Sequence, residues 1–115
     1  DVWTSEDTIL PLLYIKDAIR SLILLHDADP SKIITRVYNL GQIMPPPTAK
    51  DLVQVVKRYY PDARINFKPD PNAAIGLATI PKIIKGDQAE KEWGWRVTYS
   101  LEEMVKDFIE EFKKT

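Results

Sequence analysis

The chain carries one histidine, five tyrosines, three tryptophans, no cysteine and 17 acidic side chains, and these are its candidates for chemistry. A tyrosine becomes a useful acid or base when a lysine one helical turn further on lowers its pKa. Tyr14, Tyr38, Tyr59, Tyr60 and Tyr99 are followed at that spacing by Ala18, Gln42, Ala63, Arg64 and Glu103, so none has the partner. His26 lies on an apolar stretch beside Asp27, and one imidazole there reads as a core or helix-end residue. Without cysteine there is no thiol nucleophile, disulfide or thiolate metal site. Glu102-Glu103 and Glu110-Glu111 fall on the polar face of one helix and read as solvated surface. Trp93 and Trp95 have the rings to stack a base, yet beside a helix end they read as plugs of a core. Dinucleotide or phosphate binding needs closely spaced glycines after a strand. Gly41, Gly76, Gly86 and Gly94 are too far apart for that turn. The chain holds no catalytic constellation of its own.

The elements that would position these residues follow from composition and periodicity. With 115 residues, 44% hydrophobic and 29% charged, the chain reads as one soluble domain spanning 1–115. Sixteen basic residues against 17 acidic ones, net −1, argue against nucleic acid and against an anionic membrane surface as partner. The longest apolar run, Leu22 to Leu25, is too short to cross a bilayer, and the absence of cysteine suits a cytoplasmic setting. The opening Asp1-Val2-Trp3 has no initiator Met, a hint that something precedes it.

Ile9 to Ile15 reads as a short strand or extended segment, and Asp17 opens a helix apolar on most sides, sandwiched between other elements. Arg36 to Leu40 reads as a second strand ending at Gly41. Thr48 to Asp51 is a variant capping box before a helix with Leu52, Val55, Val56 and Tyr59 on one face. Arg64 to Lys68 reads as a third strand, and Asp70 to Lys85 as a long loop. Asp87, with Glu90 three residues on, predicts a capped short helix ending at Trp93-Gly94-Trp95. Ser100 and Glu103 form a full capping box for a last helix with Leu101, Met104, Val105, Phe108, Ile109 and Phe112 on one face. The fold class expected is α/β: a few short strands covered by about four helices, without a glycine-rich nucleotide-binding motif.

Three stretches together resemble the carboxy-terminal portion of extended short-chain dehydrogenases/reductases, the NAD-dependent epimerase/dehydratase superfamily. Leu10-Pro11-Leu12-Leu13-Tyr14-Ile15-Lys16-Asp17-Ala18 resembles that family's strand-to-helix segment, in a form nearer to L-threonine dehydrogenases than to sugar-nucleotide epimerases. Val37-Tyr38-Asn39-Leu40 with Thr48 resembles its Tyr-Asn-apolar strand and the capped helix after it. Ala78-Thr79-Ile80-Pro81, then Glu92-Trp93-Gly94-Trp95, resembles the threonine dehydrogenase sequence of Ser/Thr-Trp-Pro followed by Asp/Glu-Trp-Gly-aromatic. Ile80 stands where that branch has tryptophan, Lys85 where it has an acid, and Asp87 where it has serine.

The resemblance implies a substrate-domain portion of an NAD-dependent oxidoreductase, not catalytically competent alone. NAD and the catalytic Tyr/Lys pair would belong to the amino-terminal part of the parent. It implies Tyr14 and Thr79 as substrate-binding residues, and Asp17, Asn39, Pro81, Trp93 and Gly94 as structural motif residues, with Asp17 a helix cap and Asn39 a turn residue. The partner would be a small molecule, threonine-like or a sugar nucleotide. The alternatives are the same portion of a nucleotide-sugar epimerase/dehydratase, or a stand-alone dimerising module whose homodimer covers the helix from Asp17 to His26.

Overall fold

A computed structural model describes all residues, Asp1–Thr115, as five α-helices joined by extended segments. They are α1 (Ile15–Asp27), α2 (Ala49–Tyr59), α3 (Pro71–Ala78), α4 (Asp87–Trp93) and α5 (Leu101–Lys114), with one 3₁₀ turn at Pro30–Lys32. No helix is long and apolar enough to cross a membrane.

Local chemistry accounts for the two best-defined helices. In α2, the Thr48 hydroxyl accepts from the Asp51 N–H at 3.2 Å, and the Asp51 carboxylate accepts from the Thr48 N–H at 2.8 Å. Ser100 and Glu103 repeat this exchange at the start of α5, and Lys113 and Lys114 complement its carboxy-terminal dipole. α2 packs against α5, burying Val55 and Val105 between them.

The three expected strands are extended but form no sheet; only two isolated bridges exist, Val2 with Phe67 and Ile9 with Thr48. Segment 8–12 does run beside segment 43–49: the Leu10 N–H donates to the Pro47 carbonyl at 2.8 Å, and Ile43 donates to Leu12 at 2.8 Å. Pro11 on one side and Pro45-Pro46-Pro47 on the other lack the N–H groups a ladder requires, so pairing stops after single steps. Segment 36–40 bends at Arg36 and Val37 and has no strand beside it.

Three further expectations are corrected. α1 begins at Ile15, and Asp17 is a buried first-turn residue and not its cap. Asp87 is not the cap of α4; Gly86 takes that place with no side-chain hydrogen bond. The expected loop 70–85 contains α3, capped by the Asp70 carboxylate with Pro71 at the first helical position, where a missing N–H costs nothing.

The core is small: Tyr14, Ile43, Ala49, Val55, Ala89, Trp95 and Val105 are its buried apolar residues. Two glycines hold its edge, because a Cβ on Gly86 would stand 2.4 Å from the Gly41 backbone nitrogen. Gly94 takes φ 75° and terminates α4 in the left-handed region, the conformation glycine adopts without a Cβ clash.

Candidate functional site

The buried Asp17 is the most heavily bonded group linking α1 to the rest of the chain. Its carboxylate accepts from the Thr98 N–H at 2.9 Å, the Thr98 hydroxyl at 2.6 Å, the Tyr99 N–H at 3.1 Å and Arg20 at 2.9 Å. The Trp95 indole N–H donates to the Asp17 carbonyl at 3.0 Å. Burial pushes the Asp17 pKa up, but the bonds from Thr98, Arg20 and Tyr99 outweigh it and hold the carboxyl below its ordinary value. Asp17 therefore clasps the start of α1 to the segment that enters α5.

Glu92 makes a second clasp, missed in the sequence because its partners lie 54 to 58 residues upstream. Its buried carboxylate accepts from the Ile34 and Thr35 N–H groups, both at 3.1 Å, and from the Thr35 and Tyr38 hydroxyls. Burial raises the Glu92 pKa, and these donors more than reverse it, bringing it down to about 2. The only signal available was its place in the Glu92-Trp93-Gly94-Trp95 motif. Trp93 stands edge-on to Tyr38, ring centroids 5.4 Å apart, so this motif residue packs the same segment.

Tyr14 and Thr79 are not brought together. Tyr14 caps α1; its hydroxyl donates to Asp107 at 2.5 Å and its ring meets Tyr99 edge-on at 4.8 Å. Lys16 reaches Asp107 at 2.7 Å and Glu111 at 2.9 Å, completing a cluster that ties α1 to α5. Burial, reinforced by the bond to Asp107, pushes the Tyr14 phenol up to about 12, so it stays protonated and acts as a fixed donor. Its ring walls an entirely apolar cavity of about 380 Å³ between α2 and α5, with Leu52, Val56, Tyr60, Met104, Val105, Phe108 and Ile109. Thr79 is exposed at the end of α3, its hydroxyl donating to the Gly76 carbonyl at 2.7 Å. Pro81 follows it on the surface, and Asn39 lies on the surface in a shallow concavity with Val37, Lys85, Asp87 and Gln88.

A third concavity, about 260 Å³, lies between the amino-terminal segment and α3. It mixes hydroxyls (Thr4, Ser5, Thr8) with one acid, Asp7, one base, Lys82, and the Trp3 ring. That mixture suits a small polar molecule better than the apolar cavity does. No group of side chains is arranged to hold a metal ion.

The four glycines of this chain build no pyrophosphate-binding turn. Gly41 and Gly86 approach each other and not a ligand-sized gap, while Gly76 lies within α3 and Gly94 ends α4. No glycine turn opens a helix toward a pyrophosphate.

No protein-family model matches the chain. It is 32% identical over 108 residues to an uncharacterized epimerase/dehydratase of Staphylococcus saprophyticus, covering 92% of this chain and 33% of that one. It is 28% identical over 103 residues to the mitochondrial L-threonine 3-dehydrogenase of Bos taurus, covering 90% and 27%. Among solved structures, the GalE-like L-threonine dehydrogenase of Cupriavidus necator (apo form) superposes with TM-score 0.85 at 31% identity, over 96% of this chain and 39% of that one. The L-threonine dehydrogenase of Clostridium difficile gives 0.86 at 27% identity, over 99% and 35%. The chain thus spans about a third of the length of the relatives it matches. Its homologues are epimerase/dehydratase-like proteins and L-threonine 3-dehydrogenases, consistent with a carboxy-terminal portion of an extended short-chain dehydrogenase/reductase.

Proposed function

We propose that this chain, homologous to about a third of those enzymes, is the substrate-side portion of an NAD-dependent oxidoreductase resembling L-threonine 3-dehydrogenase. The observation that supports it most is likeness across nearly the whole chain in sequence and shape together, at 31% identity and TM-score 0.85. In this reading residues 1–115 form one unit of a larger α/β protein. The rest of the parent binds NAD, which supplies hydride-transfer chemistry, and carries the acid–base pair this chain lacks.

What this portion contributes is shape and polarity around a small substrate. Tyr14 contributes a ring and a locked hydroxyl, not a proton acceptor, because its phenol does not ionise until about pH 12. Thr79 contributes an exposed hydroxyl beside the mixed polar concavity lined by Ala78, Lys82 and Asp7. The clasp of Asp17 holds the start of α1, and Tyr14 that caps it, against the segment that enters α5.

One observation favours a second reading, the same portion of a nucleotide-sugar epimerase or dehydratase. Ile80 and Lys85 replace the tryptophan and the acid of the threonine dehydrogenase sequence, and several relatives carry the epimerase/dehydratase name. The test uses the complete product purified from its source cells. NADH formation with L-threonine supports the dehydrogenase reading, whereas turnover of a nucleotide sugar without threonine oxidation replaces it with the second. A product of only 13.2 kDa with neither activity removes both.

A further inference from the structure

The segment that follows α3 is gripped from inside the core. The buried Gln42 side chain holds it at both ends of its amide: the nitrogen donates to the Lys82 carbonyl at 3.1 Å, and the oxygen accepts from the Ile84 N–H at 2.7 Å. The backbone of Lys82 is therefore fixed where the residue walls the concavity between the amino-terminal segment and α3. We infer that Lys82 is the specificity-determining residue of that concavity, the single cation that holds the carboxylate of a small substrate and leaves no place for the two phosphates of a nucleotide sugar. The inference deepens the function proposed above and rests on it.

Charge, an orphaned hydroxyl and size choose that ligand. Lys82 is the only base lining the concavity, and no carboxylate occupies it in an ion pair, as carboxylates occupy Lys16, Arg20 and Arg58. An unpaired ammonium at the wall of a cavity is a site for one negative group. Thr4 lines the same wall, and its hydroxyl oxygen is buried with no hydrogen-bond partner. A carboxylate has two oxygens, one for the ammonium and one for a hydroxyl left over in this way. Ser5 and Thr8 are not free to compete, since their hydroxyls bond each other at 2.9 Å. Asp7 is the only acid in the concavity. Bonds from the Ser5 hydroxyl and from its own N–H hold the Asp7 carboxyl below its ordinary value, and the Lys82 charge adds to them. Asp7 is thus ionised at neutral pH, where it repels a second negative charge and accepts from the ammonium of an amino acid. The volume, about 260 Å³, lies below the roughly 300–1,000 Å³ of sites for drug-sized ligands. A base, two sugars and a diphosphate exceed it.

The experiment measures NADH formation by the complete product and by its Lys82→Gln, Lys82→Arg and Thr4→Val forms, with folding of each followed by circular dichroism. The substrates are L-threonine and L-threoninamide, whose carboxyl carries no charge. The expected result is a preference for L-threonine that Lys82→Gln abolishes. It should raise KM for L-threonine roughly tenfold, with kcat little changed and KM for L-threoninamide where it was. Thr4→Val should raise KM for L-threonine several-fold in the same way, and Lys82→Arg, which keeps the charge, should retain most of the preference. An unchanged KM for L-threonine in Lys82→Gln would overturn the carboxylate site while leaving the functional reading intact. Equal losses on the two substrates would overturn it as well, because a merely structural role moves them together. A complete product that turns over UDP-glucose and does not oxidise L-threonine would overturn both the site and the functional reading.

Discussion

Replacing Asp17 by alanine tests whether the clasp, and not apolar packing, holds α1 in place. The side chain is fully buried and accepts four hydrogen bonds, from two N–H groups, one hydroxyl and one guanidinium. Removing it strands the Thr98 and Tyr99 N–H groups and leaves Arg20 without its carboxylate. Two stranded backbone donors cost about 1–3 kcal/mol each, and the half-exposed Arg20 adds little, so the loss is about 3–5 kcal/mol in all. For 115 residues at about 2.1 cal/mol/K each, this lowers Tm by about 12–20 °C. Asp17→Asn, which keeps one acceptor oxygen, should fall between Asp17→Ala and the unsubstituted chain. The assay is urea and thermal unfolding followed by far-UV circular dichroism and tryptophan fluorescence. Exposed Glu90→Ala is the control, expected within about 0.5 kcal/mol. The sign with pH follows from the lowered carboxyl. Its contribution is complete above the unfolded value, about 3.9, and is lost as pH falls through the lower folded value. The gap between the two proteins should therefore close below about pH 4. A difference under about 1 kcal/mol at neutral pH would refute the clasp.

Three other outcomes are expected. Glu92→Gln should remove the part of the acid unfolding curve between the ordinary glutamate value and about pH 2, where the folded carboxyl titrates; circular dichroism against pH reads it, and an unchanged curve would contradict the second clasp. Tyr14→Phe should cost about 1 kcal/mol and remove the tyrosinate absorbance step near pH 12. Because the folded pKa is raised, that stabilisation is present below about pH 10 and lost as pH rises through 12. Two glycine substitutions should move stability in opposite directions in thermal melts. Gly86→Ala forces a Cβ to 2.4 Å from the Gly41 nitrogen and should cost about 1–3 kcal/mol. Gly76→Ala in exposed α3 meets nothing within 4 Å and should gain about 0.5–1 kcal/mol.

What was legible in the sequence was what is decided within a few residues. The capping boxes of α2 and α5 close over three residues each, so they can be read directly. α3 escaped because the prolines and glycines on or beside residues 70–85 read as a loop, although Asp70-Pro71 is a cap followed by a favoured first residue. The strands were overread for the opposite reason. Alternation is local, but a ladder needs a distant partner with free N–H groups, and for segment 8–12 Pro11 and Pro45-Pro46-Pro47 deny it. Glu92 and Asp17 find partners 54 to 82 residues away, beyond the reach of any periodicity.

The resemblance reached further than periodicity because its residues turn out to be the clasps. Asp17 and Trp95 meet through the indole N–H, Gly94 supplies the turn between them and α4, and Glu92 and Trp93 fasten the segment around Tyr38. Residues occupied in this way report how the chain folds and say little about what it binds; the Trp93 indole N–H, buried without a partner, is the exception. The exposed Thr79, Ile80 and Pro81 carry no such duty beyond one bond from Thr79 to its own helix. They are also where the chain departs from the threonine dehydrogenase sequence, at Ile80. Likeness in the clasps and departure at the exposed segment therefore separate two inferences: the first supports the fold and the enzyme superfamily, and the second, on the function proposed above, would leave the substrate to the surface around α3. Substituting Ile80 by tryptophan in the complete product should raise kcat/KM for L-threonine if that surface sets the choice, and an unchanged ratio of threonine to nucleotide-sugar turnover would show that it does not.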